Sequence, residues 1–249
     1  MQYSVPYRIS RKKSRPKWLW PLLIVGIFCL CLVVIISITF FRKKVDYFEE
    51  RDLYLVYVDK SDKTFMLEST QDLVKKLGGA GVVYKYHNTY HLVTSFYLDV
   101  REAKEIATGL AESYQNAGIL TLKVDKISRS ARNTVSNNHY ALEFLKNLYH
   151  LTNDMQEDSM KYLSGNLAES DLCRNLLKEK LKFQELLENI SEIKSEDTIF
   201  ESLYESNARL LEYIDSFFDR FYQSSKKRSL VCELGLNIAI EYFELFNNL

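Results

Sequence analysis

The chain has 249 residues, 47% of them hydrophobic, which is ample for a packed core and excludes disorder over most of its length. With 3 Pro and 8 Gly it holds no Pro-rich or Gly/Ser-rich linker, so folded units are expected to abut. The zero net charge is unevenly spread: residues 1–50 carry 9 Lys/Arg against 3 Asp/Glu, residues 51–130 carry 11 against 10, and residues 131–249 carry 13 against 20. No folded region has a basic excess, which argues against nucleic acid as the main partner.

In chain order, residues 1–17 read as a basic cytoplasmic tail. Trp18 to Phe41 then runs 24 residues without a charge. As a helix that stretch would exceed the roughly 30 Å hydrocarbon core of a bilayer, so 18–41 is expected to be a transmembrane helix with the lipid bilayer as its partner. Trp18 and Trp20 suit an interfacial belt. No A-x-A-like cleavage site follows, which disfavours a signal peptide. Six cations (Arg8, Arg11, Lys12, Lys13, Arg15, Lys17) precede the stretch and three (Arg42, Lys43, Lys44) follow it. That asymmetry predicts a single-pass protein of the bacterial cell membrane, its N-terminus cytoplasmic and its C-terminal domains extracytoplasmic. Residues 42–50 form a short juxtamembrane linker.

Leu53-Tyr54-Leu55-Val56-Tyr57-Val58 reads as a strand, with a turn at Asp59 to Asp62. A helix is expected over Phe65 to Leu77, with Met66, Thr70, Leu73 and Leu77 at helical spacing and Gly78-Gly79 as the stop. Val82 to His87 and Tyr90 to Ser95 are rich in β-branched and aromatic residues and read as a hairpin turning at Asn88-Thr89. Asp99, with Glu102 at capping-box spacing, opens a helix carrying Ala103, Ile106, Ala107, Leu110 and Tyr114, which Gly118 closes. Leu120 to Val124 gives a fourth strand. The fold class expected for residues 51–127 is α+β, a ferredoxin-like βαββαβ unit with both helices on one face of a four-stranded sheet.

These residues resemble the SPOR domains of bacterial cell-division and sporulation proteins. Tyr90-His91-Leu92-Val93-Thr94-Ser95-Phe96-Tyr97-Leu98-Asp99-Val100-Arg101-Glu102-Ala103 is similar without gaps to the family's Y-R-V-R-V-G-P-F-x-x-x-x-E-A pattern. Asn116-Ala117-Gly118-Ile119 resembles its usual second-helix ending. The resemblance implies a sheet that binds peptidoglycan, typically septal glycan strands lacking stem peptides. Two departures stand out: Val56-Tyr57-Val58-Asp59 replaces the family's V-Q-V-G, and Ser95-Phe96-Tyr97 replaces its G-P-F.

Residues 135–249 show only helical periodicity and are expected to form an α-helical bundle of four helices, broken at Ser164-Gly165-Asn166, near Lys194-Ser195 and at Ser224-Ser225. Its core positions are Leu145, Leu148 and Met155; Leu172, Leu176, Phe183 and Ile190; Ile199, Leu203, Leu210, Ile214, Phe217 and Phe221; and Leu234, Ile238 and Phe246. Cys173 and Cys232 are compatible with one bridge or with two small buried hydrophobes, the second being preferred.

No phosphate loop, nucleophile elbow, zinc-ligand cysteine pair or dinucleotide fingerprint occurs, so no enzymatic activity, cofactor or metal is expected. His87 and His91 flank a turn rather than share a helix face. Glu185 with Glu188, and Glu201 with Glu205, read as solvated helix faces. The candidate site is the sheet face away from the two helices. Alternation directs Val56, Val58, Leu92, Thr94, Leu122 and Val124 to the helices, leaving Leu55, Tyr57, Val93 and Thr121 on the open face beside His91, Lys123 and Lys85. A glycan site would use Tyr57, His91, Lys85 and Lys123, and a protein-binding face would use Leu55, Tyr57 and Val93. Two readings follow: a membrane-anchored module binding peptidoglycan through the sheet and a protein partner through the bundle, or an envelope assembly protein whose sheet packs on protein. Each of the two segments carries a complete hydrophobic pattern and is expected to fold alone.

Overall fold

The computed structural model describes Tyr47 and residues 49–193 and 198–249. Tyr47–Leu249 is one compact unit. Four strands, β1 (Arg51–Ser61), β2 (Val82–Tyr86), β3 (Thr89–Tyr97) and β4 (Gly118–Val124), form an antiparallel sheet in the order β2-β3-β1-β4. Helices α1 (Glu68–Lys76) and α2 (Val100–Ala111) interrupt the strands, and five more follow: α3 (Arg129–Ser136), α4 (His139–Leu163), α5 (Glu169–Ser191), α6 (Thr198–Phe221) and α7 (Lys227–Asn248).

Local chemistry sets the boundaries. The β2–β3 turn is made by His87, which takes a left-handed φ of 51°, and Asn88. The Asp99 carboxylate caps α2 by accepting from the Arg101 N–H at 2.6 Å. Ser128 and Asn138 cap α3 and α4 through the N–H groups of Ala131 and Ala141.

Both α1 and α2 lie on one face of the sheet. Val56 packs with Tyr97, Ala103 and Ala107, and Val58 packs with Leu67, Val74 and Leu92. The face of α1 is not the expected one: Leu67 and Val74 are buried, whereas Met66, Leu73 and Leu77 are exposed. The long helices α4 to α7 pack around a common core, each against its sequence neighbour and α4 against α7. Of the bundle core positions read from the sequence, all are buried except Ile199, which is partly buried against that core. Cys173 and Cys232 are free and buried.

Among the described residues no helix is long and apolar enough to cross a membrane. The fold class is corrected accordingly, to an α+β unit of one four-stranded sheet and seven helices with no membrane-spanning helix among those residues. The span expected over 18–41 and the tail before it lie outside the described residues.

Candidate functional site

The sheet's second face is covered from within. Leu53, Leu55, Val93, Phe96, Leu122 and Val124 belong to the same buried core as Leu230, Leu234, Ile238, Tyr242 and Phe246 of α7. That helix packs on β3 and β4 and buries most of its circumference, leaving a narrow stripe of Glu233, Asn237, Ile240 and Glu244 incompletely buried, the pattern of a helix largely enclosed by protein. Gly235 permits the approach: a Cβ there would lie 3.1 Å from the Phe96 ring and 3.3 Å from the Ser159 hydroxyl of α4. The end of α7 is tied to the end of β4, since the Asp125 N–H donates to Asn247 Oδ1 at 2.9 Å and Asn247 Nδ2 donates to the Lys123 carbonyl at 3.2 Å.

At the start of β1, Arg51 clasps the sheet to the bundle. Its Nη2 donates to Asn153 Oδ1 at 3.0 Å, and its guanidinium lies 4.8 Å from the Tyr149 ring centre and 5.3 Å from that of Tyr242. Burial pushes the Tyr242 hydroxyl up to about 12, and Tyr84 on β2 is raised to about 12 by burial and by Glu244 of α7.

The candidate residues divide between the two faces. Leu55 and Val93 are fully buried under the bundle, and Tyr57 is half-buried against it. His91 pairs across the sheet with Lys60 and Tyr84, and its ring centre lies 4.9 Å from that of Tyr57 in an edge-on contact. Its Nδ1 is buried without a partner, and burial, then the charge of Lys60, lowers its pKa. The Tyr57 hydroxyl lies over Gly118, where a Cβ would come within 2.6 Å of it, so this approach requires glycine.

Lys85 and Lys123 are not on this face. Lys85 pairs with Tyr90, which packs towards α1, and Lys123 pairs with Asp52, out of phase with the buried Leu53 and Leu122 pair. The expected β4 phase is therefore reversed: Leu122 and Val124 face the bundle, while Thr121 and Lys123 face the side of α1 and α2. The β1–β4 and β2–β3 pairs run without a shift, so pairing with the buried positions of β1 and β3 sets which residues of β4 and β2 face the bundle.

Among the described residues no group of three or more His, Cys, Asp or Glu is arranged to hold a metal ion. His87 is exposed at the turn, and Glu185, Glu188, Glu201 and Glu205 are exposed on their helices. The buried carboxylate that sequence reading missed is Glu241 of α7, gripped by Arg209 of α6 through Nε at 2.9 Å and Nη2 at 3.0 Å. Glu233 and Glu244 on the same helix are not buried, so an acid in α7 was not by itself a signal. Comparison with protein-family models, curated proteins and solved structures yields no match.

Proposed function

We propose that the chain is a non-catalytic structural or assembly protein of the bacterial cell envelope, whose SPOR-like sheet packs on its own helical bundle rather than on glycan. The observation that supports this reading is the burial of Leu55 and Val93 in one core with α7. A face meant for sugar must present aromatic and hydrogen-bonding groups to solvent, whereas here the centre of the face is dry and filled by side chains. The envelope setting is inferred from the resemblance of residues 51–127 to SPOR domains.

The test is co-sedimentation of the full chain with purified peptidoglycan sacculi. The assembly reading expects the chain to stay in the supernatant. Saturable retention, lost in a Tyr57→Ala variant that still melts cooperatively, would refute it and return the sheet to a wall-binding role.

A further inference from the structure

The apolar side of α1 that fails to reach the core borders a groove. Between α1 and α2 a cavity of about 220 Å³ opens, floored by Thr94 and Tyr97 of β3, walled by Val74 and Leu77 on one side and Ile106 and Leu110 on the other, and closed at one end by Leu163 and Cys232. Leu77 is 70% exposed and Ile106 41% exposed. The cavity is smaller than the roughly 300–1,000 Å³ of small-molecule pockets and open along its length, so it suits a few inserted side chains rather than a whole ligand.

Its Cys232 end is basic. Arg228 precedes Cys232 by one turn of α7 and packs at Gly78, where a Cβ would lie 3.2 Å from the Arg228 Cβ. The nearby acids are engaged elsewhere, Asp72 by Lys226 at 3.8 Å and Glu169 by Lys227, and no carboxylate among the described residues lies within ion-pair distance of Arg228. The first turn of α7 holds no acidic residue either, so its helix dipole adds to the positive potential there.

We propose that this groove docks an acidic amphipathic helix of a partner protein, with apolar side chains at helical spacing between Leu77 and Ile106 and a carboxylate against Arg228. The choice of a protein occupant rests on the assembly reading, while the groove itself opens on the α1 and α2 side of the sheet, with Leu163 and Cys232 of the bundle at one end.

The probe is a display library of random peptides about 14 residues long, roughly four helical turns, selected on the purified full chain. Enriched peptides are expected to combine Asp or Glu with apolar residues at helical spacing. Leu77→Asp and Arg228→Glu are each expected to weaken their binding by at least about tenfold, while Leu177→Asp on α5 leaves it unchanged. The substituted side chains are exposed, and circular dichroism verifies that each variant is folded. Failure to enrich any peptide, enrichment without acids, or equal binding to Leu77→Asp would overturn the proposal. So would flotation with phosphatidylglycerol vesicles that Leu77→Asp abolishes, because the groove would then face lipid. Retention on sacculi would refute the assembly reading without altering these measurements, so the two failures are distinguishable.

Discussion

Replacing Leu55 with Ala measures whether the sheet and the bundle share a core. Leu55 lies on β1 opposite Phe96 and Leu120, fully buried in the cluster that contains α7. Truncating a side chain so enclosed costs about 2–5 kcal/mol, from lost transfer free energy and the cavity left behind; about 3 kcal/mol is a fair centre. A cooperative unit of this size loses about 2–4 °C of Tm per kcal/mol, which gives a fall of about 6–12 °C. On an uncovered face the same change would stay within about 0.5 kcal/mol, as is expected for Leu73→Ala on the exposed side of α1. Far-UV circular dichroism during urea and thermal unfolding provides the assay. A Leu55→Ala shift no larger than that of Leu73→Ala, or two separate transitions in the parent protein, would refute the shared core.

Arg209→Ala leaves the Glu241 carboxylate buried and unpaired; because Arg209 is itself 43% exposed, the cost is discounted to about 2 kcal/mol. The double replacement Arg209→Met, Glu241→Met should recover most of it, and a urea midpoint as low as that of the single variant would contradict this. His91 is held below its ordinary value of 6.5 by burial and Lys60, so the unfolded chain takes up a proton first as pH falls. Its contribution to stability is complete above that value and declines as pH drops towards the lower folded pKa. Urea midpoints of the parent should consequently fall further between pH 7 and pH 5 than those of His91→Phe, which cannot titrate, and parallel curves would show that the imidazole is not desolvated.

The succession of strands and helices along the chain and the four long helices were legible because each rests on local signals: turn residues, a capping Asp99 and apolar periodicity. The covering of the sheet was less so, although β1 hinted at it. Leu53, Leu55, Val56 and Val58 form a near-continuous apolar run and are all buried, which is what a strand with two covered faces requires. Alternation gives the spacing of the two faces but not which is which; the pairing of Leu122 with the buried Leu53 and of Lys85 with Tyr90 decided that, and with it the separation of Lys85 and Lys123 from Tyr57 and His91. In α1 the periodic set Met66, Leu73 and Leu77 lost to Leu67 and Val74, since only the latter face Val58 and Leu92. The buried character of α7 was visible in Leu230 to Ile240, where only Glu233 and Asn237, one turn apart on a single face, interrupt the apolar residues, but no local rule says that such a helix lies between a sheet and a bundle.

Thiol labelling of a Val93→Cys variant tests the covered face most directly. Val93 is fully buried beneath the bundle, and Leu77, most of it in solvent, supplies the exposed control as Leu77→Cys. Cys232 does not compete, because burial pushes its thiol up to about 12 and the thiolate is the reacting species. With a maleimide in excess and mass spectrometry of the digested full chain, Leu77→Cys should label promptly while Val93→Cys stays unmodified until denaturant unfolds the protein. Equal labelling of the two positions under native conditions would show that the sheet face is free, and would contradict the account.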